Sequence, residues 1–189
     1  MSINFLSTDG RERLPIIPYS GHCSRALNFY DMSDTVYFGL GKTTPWSEGE
    51  TESSFIPPEP DMNATSLDGL VGLKKATRVL LVMPDDDGEI EYRGSTWKPI
   101  SIAEAIQNKA RWVLVETTIY YDEMPITDYR QIGIFSRVQK SDGIGDDQTV
   151  LLVERNDIKE LGVLEVLDNR HVVTRQSDTK DVYQMIIEF

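Results

Sequence analysis

Short runs of alternating apolar and polar residues, rich in β-branched and aromatic side chains, recur along most of the chain and predict β-strands. The strongest run is Trp-Val-Leu-Val-Glu-Thr-Thr-Ile-Tyr-Tyr at residues 112–121. The predicted strands are residues 35–40, 78–83, 89–92, 112–121, 129–138, 149–155, 161–167, 171–176 and 182–189. This spacing predicts a mainly β fold, a two-layer β-sandwich-like domain over residues 23–189 with a few short helices.

Helical spacing of apolar residues is confined to three short segments. The predicted helices are residues 23–30, 68–75 and 102–108, and Ser24 is the expected N-cap of the first. The dipeptide Asp87-Gly88 is typical of a hairpin turn, so residues 78–83 and 89–92 are predicted to pair with each other.

Two segments carry apolar side chains where prolines oppose regular structure. The first is an extended N-terminal arm, residues 1–22, which holds Pro15 and Pro18. The second is the stretch Phe55-Ile56-Pro57-Pro58-Glu59-Pro60, in which three prolines in four positions favour an extended backbone. Each segment either docks on a neighbouring subunit or folds onto its own sandwich.

The charge balance excludes some partners. With 19 basic and 31 acidic residues the net charge is −12, which opposes binding to nucleic acid or to an anionic membrane surface. The single cysteine, Cys23, rules out an internal disulfide framework. The N-terminal sequence lacks the pattern of a signal peptide, and a bilayer-spanning apolar run of about 20 residues is missing, so we expect a soluble protein made in a cytoplasm.

Motifs for catalysis, nucleotides and metals are incomplete. Gly41-Lys42-Thr43 follows a predicted strand, but a phosphate-binding loop needs a glycine at position 36, which is Val36. Residues 85–88 resemble part of a calcium loop, but Gly94 stands where the final glutamate ligand belongs. The histidines, at positions 22 and 171, are far apart in sequence. We therefore expect no enzyme, no cofactor and no metal site.

The tryptophans leave one alternative open. Trp46, Trp97 and Trp112 each lie near a turn signal. Exposed aromatic rings would suit a carbohydrate- or receptor-binding β module, whereas buried rings would suit an assembly protein.

Three stretches, in this order, resemble the baseplate wedge protein family of contractile-tailed bacteriophages. They are LNFY, VYFGLGKTTPW and FIPPEP within residues 27–60, YYDEMP and YRQIGI within residues 120–134, and DNR and MIIEF within residues 168–189. The chain resembles a short member of the family. A larger member carries a long segment between the proline-rich stretch and the YRQIGI strand, and here that interval is only residues 61–130.

The resemblance implies a β-rich homodimer without enzymatic activity that joins neighbouring parts of each wedge around the tail hub. The expected function is a structural subunit that links other baseplate wedge subunits during assembly. The expected location is the tail baseplate of the virion, after assembly in the host cytoplasm. A carbohydrate- or receptor-binding module of a phage tail is the alternative.

Candidate interface or structural residues come from the same stretches. Arg130 is expected to pair with a carboxylate or with backbone carbonyls through its planar guanidinium, the alternative being an arginine on the solvent face. Trp46, after Pro45, is expected to cover an apolar surface of the sandwich. The full set of candidates is Trp46, Phe55, Pro57, Pro58, Pro60, Arg130, Gln131 and Phe189.

We predict that the arm of residues 1–22, or the stretch of residues 55–60, is mobile in the free protein and ordered in the particle, because neither can form a central strand. Hydrogen exchange on the free and assembled protein tests this. Full protection of both segments in the free subunit, unchanged on assembly, would place the interface elsewhere.

Overall fold

The computed structural model describes residues 15–52 and 54–189, so residues 1–14 of the predicted arm lie outside the described part of the chain. The α-helices are α1 (Tyr19–Asp31) and α2 (Ile102–Asn108), and short 3₁₀ helices cover Ser33–Thr35, Glu48–Thr51 and Val153–Arg155. The strands are β1 (Tyr37–Gly41), β2 (Gly72–Lys75), β3 (Arg78–Pro84), β4 (Ile90–Tyr92), β5 (Ser95–Pro99), β6 (Trp112–Ile119), β7 (Asp128–Ser136), β8 (Gln139–Lys140), β9 (Val150–Leu152), β10 (Ile158–Glu160), β11 (Val163–Thr174) and β12 (Asp181–Glu188).

Two five-stranded antiparallel sheets form the frame. The first has the strand order β11-β7-β1-β2-β9, and the second has the order β12-β6-β3-β5-β4. Strands β8 and β10 form a separate two-stranded ribbon. The fold is mainly β and sandwich-like, which confirms the predicted class.

The main core lies between the two sheets, and α1 and α2 close one side of it. Phe38 and Leu40 of β1 point into this cluster together with Val113 and Val115 of β6, and all four are almost fully buried. Alternation along each strand places these residues on one face of the sheet.

The outer face of the first sheet is buried as well. Tyr37, which alternates with Phe38 on β1, packs in a second cluster with Leu73 of β2 and Phe135 of β7. Leu67 and Leu70, from the connection between β1 and β2, cover this cluster. Since both faces are buried, β7 consists almost entirely of buried residues.

The first helix begins earlier than predicted. It starts at Tyr19, so residues 19–22 are helical and do not belong to an extended arm. Pro18 is the N-cap, and its carbonyl accepts from the Gly21 amide at 2.8 Å and from the His22 amide at 3.3 Å. Proline is tolerated at the start of a helix because amides there lack helical partners. The expectation that Ser24 caps the helix is wrong, since the helix already begins at Tyr19.

The predicted helix over residues 68–75 is also wrong. Its second half is β2, which pairs with β1 on one side and with β9 on the other. Two glycines in this segment, Gly69 and Gly72, lower its helix propensity, and central pairing in the sheet decides the outcome.

The predicted pairing of residues 78–83 with residues 89–92 is wrong, because strand β5 lies between β3 and β4 in the sheet. Strand β4 pairs with β5, through Arg93 and Gly94 with positive φ angles of 49° and 80°, and β5 then pairs with β3. Two consecutive left-handed residues match the twist of a tight hairpin. Residues 161–167 and 171–176, predicted as two strands, instead form the single strand β11 with an irregular register between Asn169 and Val173.

We predict that Gly162→Ala destabilises the protein by about 2–5 kcal/mol, the sum of a left-handed backbone penalty and overpacking. Gly162 has φ +71°, and an added Cβ would lie 2.0 Å from the Ser136 carbonyl oxygen, where β11 begins to pair with β7. Gly69→Ala is the matched control, because φ is +53° but no atom lies within 4 Å. Urea unfolding of both variants measures the difference, and equal losses would contradict a steric role.

Candidate functional site

The connection between β1 and β2 is much longer than a hairpin requires. We call residues 42–71 the strap; Ser53 is the one strap residue outside the described part of the chain. Connections of this length in compact domains are uncommon and often functional. Seven of the eight candidate residues lie in the strap or contact it.

A buried ion pair ties the strap to β7. The Arg130 guanidinium donates through Nε to Glu50 Oε1 at 2.5 Å and through Nη1 to the Thr43 carbonyl at 3.0 Å. Both charged side chains are only 6% exposed. The predicted pairing of Arg130 with a carboxylate and a backbone carbonyl is confirmed.

The next residue on β7 starts a chain of amide hydrogen bonds. Gln131 Oε1 accepts from the Asp68 amide at 2.8 Å, and its Nε2 donates to Asn169 Oδ1 at 2.9 Å. Asn169, directly opposite on β11, then donates through Nδ2 to the Pro58 carbonyl at 2.9 Å. Two distant parts of the strap are thereby fixed to adjacent strands.

Trp46 contacts backbone and charged groups. Its indole N–H donates to the Arg170 carbonyl of β11 at 3.0 Å, and its backbone amide donates to Glu50 at 2.9 Å. The Lys42 ammonium lies 5.2 Å from the ring centroid. The ring therefore lies against the polar backbone of β11 and outside the three buried apolar clusters of the described residues.

The proline-rich stretch has a docked side and an exposed side. The Phe55 ring meets the His171 ring edge-on, with centroids 6.2 Å apart, and Phe55 and Pro57 are half-buried. Pro58 and Pro60 are exposed. The side chain of Ile56 is 81% exposed and that of Met62 is 97% exposed.

Phe189 lies away from the strap. Its ring packs on Phe29 of α1 with centroids 5.1 Å apart, and its amide donates to the Arg111 carbonyl at 3.0 Å. It borders the main core, so its contacts close the sandwich beneath α1.

A hydroxyl pair fixes the start of β7 from inside the sandwich. The Tyr129 and Tyr183 hydroxyls are 2.5 Å apart and join β7 to β12 of the opposite sheet. Burial raises the pKa of both tyrosines, so both remain protonated at neutral pH. Arg130 and Gln131 therefore project from a strand that both sheets hold.

The partners of these residues were not evident from sequence. Glu50 is one of several glutamates in the strap, and only its position beside Arg130 distinguishes it. Asn169 is paired with Gln131 by the strand register, which sequence spacing does not encode. Within the described residues, no group of three His, Cys, Asp or Glu side chains is arranged to hold a metal ion.

Comparison with known proteins identifies the family of this chain. A sequence profile described as "Baseplate wedge 3 tail fiber network component" matches residues 14–189, which is most of the chain. The chain belongs to this baseplate wedge family. It is also 30% identical over 159 residues to "Virion protein 3" of Enterococcus phage phiEF24C, which covers 81% of this chain and 83% of that protein.

The family membership confirms the resemblance drawn from the three sequence stretches. The baseplate wedge protein is a structural component of the phage tail and part of the virion. None of its described helices has the length and apolar character that crossing a bilayer requires.

We predict that Arg130→Ala lowers the free energy of unfolding by about 3–5 kcal/mol, because it leaves the Glu50 carboxylate buried without its partner. Adding Glu50→Gln should recover part of this loss, since the unpaired charge is then removed. Urea denaturation of the single and double variants measures the coupling.

Arg78→Ala is the control for this prediction. Arg78 pairs with Glu116 at 3.1 Å, but its side chain is 49% exposed, so the loss should stay within about 1 kcal/mol. An Arg130→Ala variant as stable as Arg78→Ala would show that the ion pair does not hold the strap.

Proposed function

We propose that this baseplate wedge protein links neighbouring baseplate subunits during tail assembly in the host cytoplasm, and that it does so without catalysis. The observation that carries the proposal is the strap, which presents exposed apolar side chains from a backbone fixed by buried polar contacts. Family membership supports the structural role, and the strap supplies a surface with which to perform it.

The strap combines exposure with pre-organisation. Ile56 and Met62 are among the most exposed large apolar side chains of the described residues, at 81% and 97%. The backbone between Ile56 and Met62 is restricted by its prolines and by the hydrogen bond from Asn169 to the Pro58 carbonyl. Docking a partner on an ordered backbone costs less conformational entropy than docking on a free loop.

A second apolar surface lies at the start of α1. Ile16 is 85% exposed, Ile17 is 48% exposed and Tyr19 is 62% exposed, and Pro15 and Pro18 lie among them. We assign the homodimer contact implied by the family resemblance to this surface. The strap is then left for a different subunit.

The tryptophans favour assembly over carbohydrate binding. Trp97 and Trp112 meet edge-on with centroids 5.8 Å apart and pack against the apolar cluster of Val82, Ile90 and Leu114. Trp46 is half-buried and hydrogen-bonded to β11. These three rings do not form the shared shallow platform expected of a sugar site.

We predict that Ile56→Asp abolishes incorporation of the protein into tails while the variant still folds, because a charge would replace an apolar contact at the interface. A phage with a nonsense mutation in this gene, complemented from a plasmid, provides the assay, with particle content measured by mass spectrometry and folding by circular dichroism.

Ile126→Asp is the matched control, since Ile126 is also a loop isoleucine and is 60% exposed. It should be incorporated as wild type. Normal incorporation of Ile56→Asp would remove the strap from the proposed interface.

A further inference from the structure

The strap has a strongly segregated charge. After Lys42 at its start, the strap contains six acidic residues and neither lysine nor arginine, although the whole chain has 19 basic residues. The acidic residues are Glu48, Glu50, Glu52, Glu59, Asp61 and Asp68.

Only two of these six acidic groups have a cationic partner among the described residues. Glu50 pairs with Arg130, and Asp68 lies 3.8 Å from the Lys42 ammonium. Glu59 and Asp61, by contrast, are exposed and lie beside the exposed apolar side chains. Residues 56–62, which we call the ridge, therefore combine apolar groups with negative charge.

The ridge has a defined shape. Asn169 holds the Pro58 carbonyl, and Asp61 Oδ1 accepts from the Asn63 amide at 2.9 Å. Phe55, immediately before the ridge, packs against His171. A partner would meet a surface whose charges and apolar groups are already in place.

A cavity of about 500 Å³ opens beside the ridge. Its lining includes Trp46, Glu59, Asp61, Asp68, Gln131 and Asn169. The carboxylates favour a cation, and the Lys42 ammonium already lies 5.2 Å from the centroid of the Trp46 ring. The side chain of a lysine or arginine suits these surroundings, because its methylene groups can lie along the ring while its charge meets the carboxylates.

We propose that the ridge and its cavity bind a basic segment of a different baseplate subunit, with a lysine or arginine side chain in the cavity. This inference rests on the linking role proposed above and specifies the chemistry of the partner. A second copy of this chain is a poor occupant, because each copy carries a net charge of −12. Opposite charge also accelerates the encounter with the correct partner and disfavours acidic ones.

The test measures binding of the full-length protein to wedge complexes purified from cells infected with phage that lack this gene. Charge reversal at Glu59→Lys with Asp61→Lys should weaken binding by about tenfold or more and should reduce its salt dependence. Glu89→Lys with Glu91→Lys is the matched control, with the same charge change and spacing at exposed positions on and beside β4. The control should bind within about twofold of wild type.

The outcomes separate this inference from the proposed function. If wild type binds and both double variants bind equally, the ridge proposal is wrong and the linking role remains. If wild type does not bind the wedge, the linking role itself is contradicted. Circular dichroism of each variant verifies that the fold is retained.

Crosslinking identifies the occupant directly. A photoreactive benzoylphenylalanine in place of Met62, whose side chain is 97% exposed, should capture a lysine- or arginine-rich segment of another baseplate subunit in assembled tails. Capture of an acidic segment, or of a second copy of this chain, would overturn the proposal.

Discussion

The contact between Arg130 and Glu50 holds together parts of the molecule that lie 80 positions apart in sequence. Arg130 belongs to β7, the strand that pairs with both β1 and β11 near the middle of the first sheet. Glu50 belongs to the strap, the connection that runs from the end of β1 to the start of β2. Removing two charges from water is costly unless each finds a well-placed partner. The contact of the guanidinium with both the carboxylate and the Thr43 carbonyl therefore stabilises this path of the strap.

The strap has two structural roles. Near its C-terminal end, Leu67 and Leu70 cover the outer face of the first sheet, so the strap completes a core. Near its centre, Ile56 and Met62 point away from the protein. Arg130 holds the N-terminal part of the strap through Thr43 and Glu50, and Gln131 holds the C-terminal part through Asp68. Because these contacts hold both ends of the strap and Asn169 holds the Pro58 carbonyl near its centre, the exposed side chains remain on a defined surface.

Sequence patterns predicted the parts of this structure that depend on local composition. Strands β1, β6 and β7 are rich in β-branched and aromatic residues, and apolar residues at helical spacing predicted α2. Predictions failed where pairing with a strand far along the chain determines the secondary structure. Strand β2 is the example, because its pairing with β1 and β9 overrides a weak helical pattern. The role of Arg130 could be predicted from its chemistry, but its partner could not, because several glutamates in the strap were equivalent until the chain was folded.

The ridge places exposed apolar side chains beside exposed acidic ones. Exposed apolar groups promote unspecific association, and flanking charges oppose it. Glu59 and Asp61 lie between Ile56 and Met62, so like charges keep two free copies apart at the ridge. In the complex proposed above, the same carboxylates attract the basic segment of the partner. On this proposal, one pair of acidic residues disfavours self-association and favours a cationic neighbour. The prolines of the ridge restrict the backbone that spaces these charges from the apolar side chains.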